Sequence, residues 1–282
     1  MQEASRSHEH RRHEYYVSSF SVRAFLERDG TRAGIGSIEL WAGEPHFYVG
    51  RNPLSTLRSI RKEVKARKLN VVCYTPEQCV YPYNLAASDP DWRARSVAYF
   101  RENLYAAAEL EAPMMLVTSG IGDFAVPRAD SWNFASDSIA QLARIAEAEG
   151  LLLALEPLTP FETNLITSLR DVRNLMAEIG SPSLRGMIDT VAMQLAGETP
   201  DDYFAAPGGL PHVHLIDGDD QSDAHLALGD GVLNWESWVQ SLQKHGYRGS
   251  CTLEIMGSNY YANPQEAIEK SLDKLRQFGF SS

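Results

Sequence analysis

The chain contains few cysteines and no long apolar segment, and both shortages narrow the classes of protein to which it can belong. Its 282 residues include only three cysteines, Cys73, Cys79 and Cys251, and no two of them form a Cys-x-x-Cys pair. We therefore expect free, buried thiols in a reducing cytoplasm. No stretch approaches the ~18 apolar residues of a membrane-spanning helix. The first residues lack the apolar core of a secretory signal.

Basic residues are also scarce. Lys and Arg number 26 against 37 Asp and Glu, which gives a formal net charge of -11. Nucleic-acid and anionic-membrane partners are therefore not expected, because phosphate neutralisation needs clustered Lys and Arg. A neutral or cationic small molecule remains compatible with this charge. No Gly-x-Gly-x-x-Gly follows the first strand and no Walker A sequence exists, so the nucleotide folds lack their phosphate cradle.

One stretch organises the rest of the chain. Five apolar residues, 151–155, lead directly into Glu156, and Pro157 follows. A run that is apolar on both faces predicts a strand buried in a parallel sheet under helices. Proline cannot donate to the sheet, so the strand should end at Glu156. In a (β/α)8 barrel, the carboxyl end of a strand is where active sites lie.

Similar strands alternate with helices along the chain. The predicted strands cover residues 15–20, 37–41, 71–74, 114–118, 151–156, 186–189, 212–217 and 250–255. The predicted helices cover residues 23–32, 53–68, 89–112, 131–149, 168–179, 199–206, 234–245 and 264–278, with Asn52 and Asp89 as N-caps. This alternation predicts a parallel α/β fold. We expect a single (β/α)8 TIM barrel over residues 15–282, after a flexible, His-rich tail at 1–14, with a doubly wound open sheet as the alternative.

Four late strands each deliver a metal-competent side chain at the same predicted edge: Glu156, Asp189, His214 and Glu254. Three carboxylates and one imidazole form a hard, oxygen-rich set of ligands. Such a set suits Mn²⁺, Mg²⁺ or Co²⁺ better than a thiolate-rich structural zinc site. Four such residues at successive strand ends are harder to explain as solvated surface groups than one would be.

Several motifs resemble those of one superfamily. They are Leu155-Glu156-Pro157-Leu158-Thr159-Pro160-Phe161-Glu162, Met187-Ile188-Asp189, His212-Val213-His214-Leu215-Ile216-Asp217 and Thr252-Leu253-Glu254. They resemble the sugar-phosphate isomerase/epimerase superfamily, which has the xylose-isomerase-like barrel. Similarity to the fructoselysine 3-epimerase group and its ketose 3-epimerase relatives extends through Glu39-Leu40-Trp41-Ala42-Gly43-Glu44-Pro45-His46, Tyr74-Thr75-Pro76-Glu77, Tyr81-Pro82-Tyr83-Asn84 and Asp223-Ala224-His225.

The resemblance implies that Glu156, Asp189, His214 and Glu254 bind one divalent metal. Mn²⁺ is the expected ion, with Co²⁺, Mg²⁺ or Zn²⁺ as alternatives. A metal chelated by a carbonyl and its neighbouring hydroxyl acts as a Lewis acid and stabilises an enediolate. Glu156 and Glu254 would also be the catalytic acid/base pair. One would remove the C3 proton of a ketose or a ketosamine such as fructoselysine, and the other would return a proton to the opposite face.

The resemblance implies that Glu162 binds a substrate hydroxyl. We expect Trp41, His46, Tyr74 and Tyr83 to form an apolar wall with polar tips suited to a sugar, and His225 to support or contact the substrate, with Asp220 in the acidic loop as a further substrate-binding residue. Free-ketose 3-epimerases carry a histidine and an arginine where this chain has Ala192 and Asp220, which puts the contacts to a free ketohexose in doubt. The acidic loop 217–223 could instead receive an ammonium group. We interpret His212 as structural, on the face of its strand opposite His214.

Three other functions compete with the epimerase. The first is the α subunit of a C-glycoside deglycosidase-type lyase, which acts on 3-keto C-glycosides with a small partner subunit. The second is a DNA-repair endonuclease on the same barrel, which the acidic charge and the few histidines disfavour. The third is a catalytically silent scaffold, which the intact acid/base positions disfavour. We expect a homo-oligomer that binds a sugar, or a complex with the small subunit if the lyase assignment holds.

Overall fold

Strands and helices alternate along the computed structural model, which describes residues 36–205 and 209–279. The strands are β1 Ser37–Ala42, β2 Asn70–Pro76, β3 Met114–Val117, β4 Leu152–Leu155, β5 Leu184–Gly186, β6 Ile188–Asp189, β7 His212–Leu215 and β8 Ser250–Leu253. The helices are α1 Leu54–Ala66, α2 Pro90–Leu110, α3 Arg128–Glu149, α4 Leu169–Ile179, α5 Thr190–Leu195, α6 Pro200–Phe204, α7 Trp235–Lys244 and α8 Pro264–Gln277, with a 3₁₀ turn at Ser258–Tyr260. The predicted tail, first strand and first helix lie outside the described residues.

All strand pairs are parallel, as the alternation predicts. The strands pair in the order β1-β2-β3-β4-β5 and, in a second set, β6-β7-β8. Only Met187 separates β5 from β6, and its backbone N–H donates to the carbonyl of Leu155 at 3.1 Å. The two sets are therefore consecutive parts of one curved parallel sheet.

Side chains alternate between the inside of this sheet and the helices outside it. One buried cluster contains strand residues and the segment between β5 and β6, without any helix residue: Cys73, Met114, Leu116, Ala154 and Met187. Their neighbours along the strands, such as Tyr74, Met115 and Leu155, pack in a separate cluster with α1 to α4. The first cluster is therefore the barrel interior. Positions two residues further along each strand continue the same inward face.

Local capping explains most helix ends. Asp89 caps α2 as predicted, because its side chain accepts from the backbone N–H of Trp92 at 2.7 Å. Gly150 and Gly180 end α3 and α4 in the left-handed conformation. The prediction for Asn52 is wrong, since its side chain accepts from Tyr48 in the preceding turn and Pro53 holds the cap position. Searched over the described residues, no helix combines the length and apolar character needed to cross a bilayer.

The short helix α5 was not predicted from the sequence. It begins directly after Asp189, whose side-chain Oδ1 accepts from the backbone N–H of Ala192 at 2.7 Å. Asp189 is thus both the last residue of β6 and the N-cap of α5. This bond fixes one oxygen of the carboxylate and leaves the other available to the barrel mouth.

The three cysteines are free, but their burial differs from the prediction. Cys73 is buried in the barrel interior, as expected. Cys79 and Cys251 are exposed within the described part of the chain. Cys79 lies in the loop after β2, and β8, which carries Cys251, pairs on one side with β7.

Candidate metal and active site

The four residues at the carboxyl ends of the strands converge. Glu156, Asp189, His214 and Glu254 each offer a ligand atom, and these atoms all lie within 4.8 Å of one another. Asp189, His214 and Glu156 are buried, and Glu254 is partly exposed toward the cavity. The structure therefore brings together all four residues that were predicted from the sequence to be metal ligands.

Backbone hydrogen bonds between neighbouring strands hold the two glutamates in place. The N–H of Glu156 donates to the carbonyl of Val117 at 3.0 Å, and the N–H of Glu254 donates to Leu215 at 3.4 Å. Each glutamate therefore extends the parallel sheet by one residue beyond its strand. Its side chain continues the inward alternation and enters the barrel mouth.

The centre of the cluster is the Nδ1 atom of His214. It lies 2.7 Å from a Glu156 oxygen and 3.0 Å from a Glu254 oxygen. This atom is buried, yet neither contact has the geometry of a hydrogen bond. The imidazole nitrogen, which has no hydrogen bond of its own, and the carboxylate oxygens around it form a set of ligand atoms that fits a divalent cation. The residues present therefore fit the expected metal.

The electrostatics of the cluster support the same fit. Burial, followed by the charges of Glu254 and Asp189, raises the pKa of Glu156 to about 8 although His214 opposes the shift. Burial likewise raises the pKa of Asp189 to about 6. Burial also acts to raise the pKa of Glu254, but His214 and then His225 bring it below its ordinary value. A divalent cation would offset the negative charge that burial makes costly here.

Several predicted substrate-binding residues surround the cluster. Trp41, His46, Glu162 and His225 line the cavity above it. The indole N–H of Trp41 donates to Glu77 at 2.7 Å, and its ring meets that of His46 edge-on with centroids 5.7 Å apart. Burial lowers the pKa of His46 to about 4, so this imidazole is neutral near pH 7. Trp41 and His46 thus form an aromatic, uncharged part of the wall, beside the carboxylates of Glu39 and Glu77.

His225 lies beside two carboxylates of the cluster. Its Nε2 atom is 4.0 Å from Asp189 and 3.7 Å from Glu254, too far for direct hydrogen bonds. The other ring nitrogen, Nδ1, lies 3.1 Å from the backbone carbonyl of Asp223. The N–H at Nδ1 therefore donates to this carbonyl and directs Nε2 toward the two carboxylates.

The structure places three predicted substrate-binding residues elsewhere. Tyr74 is fully buried with the outward-facing cluster, and its hydroxyl donates to Asn103 at 2.7 Å. Tyr83 stacks on Tyr99 with ring centroids 3.7 Å apart and bonds the hydroxyl of Tyr48. Asp220 is exposed on its loop, where its φ of 64° turns the backbone. None of these three side chains belongs to the described cavity wall.

The structure also corrects the orientation of His212. His212 and His214 are two residues apart on β7 and therefore share one face of the strand. Their ring centroids lie 5.1 Å apart, and both rings contact the carboxylate of Glu39. Sequence reasoning did not identify Glu39, although its place on β1 between apolar residues marks an inward carboxylate. Asp223, at the same cavity, was also not singled out.

Comparison with known proteins gives concordant results. The family model described as the xylose isomerase-like TIM barrel matches residues 29–278. A curated relative, fructoselysine 3-epimerase from Escherichia coli O157:H7, is 29% identical over 250 residues, which cover 88% of this chain and 90% of the relative.

Solved structures show the same fold at lower identity. A D-psicose 3-epimerase crystallised in the presence of D-fructose has a TM-score of 0.76 at 20% identity, covering 93% of this chain and 94% of its own. The apo 3-keto-D-glucoside 4-epimerase from E. coli has a TM-score of 0.77 at 19% identity, covering 92% of this chain and 97% of its own.

Proposed function

Because the chain belongs to the xylose isomerase-like TIM barrel family, we propose that it is a divalent-metal-dependent epimerase that inverts C3 of a ketose or ketosamine. One observation carries the proposal. The carboxylates of Glu156 and Glu254 reach the same nitrogen of His214 from β4 and β8, at 2.7 Å and 3.0 Å. Inversion of a carbon centre requires one acid/base group on each face of the planar intermediate, and two carboxylates that enter the site from different strands supply the pair of groups for that role.

The family membership confirms two predictions from the sequence. The chain has the xylose-isomerase-like (β/α)8 barrel, and the resemblance to the isomerase/epimerase superfamily holds. The prediction of an isomerase is confirmed as well, since the named curated relatives are epimerases. The metal, the position of inversion and the substrate are proposals for this chain.

Glu156, Asp189, His214 and Glu254 would hold the metal. When bound, a divalent ion supplies a Lewis acid that polarises the substrate carbonyl and offsets negative charge that develops on oxygen. We propose Mn²⁺ because three carboxylates and one imidazole are ligands that it accepts.

The two glutamates then perform the proton transfers. One carboxylate abstracts the proton from C3 and the substrate becomes planar at that carbon. The other carboxyl group delivers a proton to the opposite face, so that the configuration at C3 inverts. The backbone bonds of Glu156 to Val117 and of Glu254 to Leu215 keep both side chains at the ends of rigid strands. This preorganisation reduces the cost of orienting the reacting groups.

Two carboxylates of the cavity offer contacts to a positively charged group of a substrate. Glu162 and Asp223 line it close to His225. Burial and then the charge of Asp223 raise the pKa of Glu162 to about 7. One side-chain oxygen of Asp223 is buried without a hydrogen-bond partner. We propose that these two carboxylates receive the ammonium of a ketosamine, as in the substrate that names fructoselysine 3-epimerase.

Replacement of Asp223 by asparagine should raise KM for fructoselysine by about 10-fold to 100-fold, since a hydrogen bond to a charged group contributes about 1.5–3 kcal/mol. The KM for an uncharged ketose such as psicose should change much less. Steady-state kinetics with both substrates measures the difference. Asp220→Asn is the matched control, because Asp220 is exposed on the same loop, and it should leave both values unchanged. Equal losses for the charged and uncharged substrates would contradict the ammonium contact.

The proposed function is tested by a substrate panel. The purified, Mn²⁺-loaded protein is incubated with fructoselysine, psicose, fructose and a 3-keto C-glycoside in turn, and products are identified by NMR. A C3 epimer from a ketose or ketosamine is the expected product. Release of an aglycone from the C-glycoside, or activity only after a small subunit is added, would replace the epimerase with the lyase. A product inverted at C4 would show that the reaction takes place at C4 rather than at C3.

A further inference from the structure

Glu39 is a buried carboxylate that lies on the far side of His214 from the metal cluster. It projects from β1 into the barrel, and its side chain is 7% exposed. One of its oxygens lies 2.8 Å from Nε2 of His212, and its two oxygens lie 3.1 Å and 3.2 Å from Nε2 of His214. The hydroxyl of Thr75 on β2 also donates to it. Three side chains from two other strands therefore hold this carboxylate.

The contact divides the two nitrogens of His214 between two environments. Nε2 faces Glu39, and Nδ1 faces Glu156 and Glu254. A neutral imidazole carries its proton on one nitrogen, and the hydrogen bond made by that nitrogen selects the tautomer. A carboxylate at Nε2 selects the tautomer that has its proton there. The lone pair of Nδ1 is then directed at the cluster.

We propose that Glu39 is a positioning residue for the metal site, which fixes the ring orientation and tautomer of His214 so that Nδ1 is available as a ligand. The inference rests on the proposed metal-dependent function. Carboxylates that accept the second N–H of a metal-binding histidine orient the ring and raise its basicity as a ligand. Glu39 acts entirely through His214, and it is not itself one of the four cluster residues.

His212 and Thr75 complete the arrangement by holding Glu39. The other ring nitrogen of His212 lies 2.7 Å from the hydroxyl oxygen of Ser250 on β8. A hydrogen-bonded row therefore runs from Ser250 through His212 and Glu39 to His214. Glu39 and His214 are 175 residues apart in the sequence. The row therefore connects strands that are distant in the sequence at the metal site.

Glu39, His212 and His214 could alternatively bind an ion of their own, because their ligand atoms also lie within 4.8 Å of one another. The hydrogen bonds favour the positioning role. Both nitrogens of His212 and Nε2 of His214 lie 2.7–3.2 Å from a hydroxyl or carboxylate oxygen. A second ion would have to replace these bonds, so the number of ions bound per chain separates the two alternatives.

The test is a Mn²⁺ titration of the metal-free, full-length chain, with unbound Mn²⁺ measured by electron paramagnetic resonance. We expect one ion per wild-type chain and a Kd that is 10-fold to 100-fold weaker in Glu39→Gln. Glutamine keeps the shape of the side chain but gives a weaker, uncharged acceptor to His214. The Mn²⁺ concentration for half-maximal activity should rise by the same factor, while kcat at saturating Mn²⁺ stays within about 10-fold of wild type.

Glu198→Gln is the matched control. Glu198 accepts from the backbone of Leu169 and from the hydroxyl of Tyr203 rather than from a histidine, and it does not line the described cavity. Its substitution should leave the Mn²⁺ Kd unchanged. If Glu39→Gln does not fold, Thr75→Val removes one bond to Glu39 and should weaken Mn²⁺ binding by a few fold.

Three results would contradict parts of the proposal, and each can be distinguished from the other two. An unchanged Kd in Glu39→Gln, with normal binding by wild type, would remove the positioning role alone. Two ions per wild-type chain and one in Glu39→Gln would make Glu39 a ligand of a second site. No Mn²⁺ binding by wild type would remove the proposed metal-dependent function itself.

Discussion

Replacement of Glu254 by glutamine lowers kcat for epimerisation by about 10²-fold to 10⁴-fold, since the loss of one acid/base group is that costly. An amide cannot take or release the C3 proton, and it removes one anionic oxygen from beside His214. The side chain keeps nearly the same shape, so the fold should survive. The rate of epimer formation, followed by NMR at saturating Mn²⁺, measures the effect, and circular dichroism checks the fold.

Glu198→Gln is the matched control for this variant. Glu198 accepts from the backbone of Leu169 and from the hydroxyl of Tyr203, and it does not line the described cavity. The same chemical change at that position should leave kcat unaltered. A Glu254→Gln enzyme within 10-fold of wild type, with a full complement of Mn²⁺, would remove Glu254 from the acid/base pair.

Chelation of the divalent metal should remove activity and lower the thermal midpoint of the protein. An ion that binds only the folded chain stabilises it by about 4 kcal/mol at a concentration 1,000-fold above its Kd. Each kcal/mol shifts the midpoint by about 2–4 °C in a chain of this size. Differential scanning fluorimetry after EDTA treatment, and again after Mn²⁺ is restored, should therefore show a reversible shift of roughly 8–16 °C.

In the same experiment, Asp189→Asn tests the binding of the metal without disturbing the fold. Asparagine can still cap α5 through its side-chain oxygen, as Asp189 does toward Ala192. It lacks the negative charge that Asp189 would contribute to the binding of a divalent ion. The metal-free midpoint should stay close to that of wild type, and the Mn²⁺-dependent shift should fall by more than half. A shift as large as that of wild type would exclude Asp189 as a ligand.

The convergence of the four polar side chains at one edge of the sheet could be predicted from the sequence because the strands rest on local patterns. The strand ends themselves are shifted, since β4 ends at Leu155, β7 at Leu215 and β8 at Leu253, one or two residues before the predicted ends. The apolar run before Glu156, and the shorter runs before Asp189 and Glu254, indicate buried strands, and parallel strands bring their carboxyl ends to one edge. The distances could not be predicted. The separation of at most 4.8 Å among the ligand atoms depends on the curvature of the sheet.

Two differences from the prediction come from the alternation of side chains along a strand. Cys73 lies in the barrel interior, so its neighbour Tyr74 must face the helices, where it packs. His212 shares the inward face of His214 for the same reason. The alternation was present in the sequence for both residues. Applied strictly, it excludes Tyr74 from the cavity and places His212 beside the site.

Other features depend on contacts that no local pattern contains. Glu39 meets His214 across 175 residues, so its role follows only from the arrangement of β1 against β7. The loop after β7 carries several aspartates, and its backbone decides which one reaches the cavity. Asp220 adopts a positive φ and is exposed, whereas Asp223 lines the cavity wall.

The central claim is that two different carboxyl groups exchange protons with C3 from opposite faces. It is tested by running the reaction in D2O with the Mn²⁺-loaded protein and the substrate found in the panel, stopping it at low conversion. A reaction with two bases predicts deuterium at C3 of the product, while the remaining substrate still carries protium. Product that retains protium at C3 would show that one group, or a hydride shift, carries the hydrogen, and it would contradict the assignment of Glu156 and Glu254 as an acid/base pair.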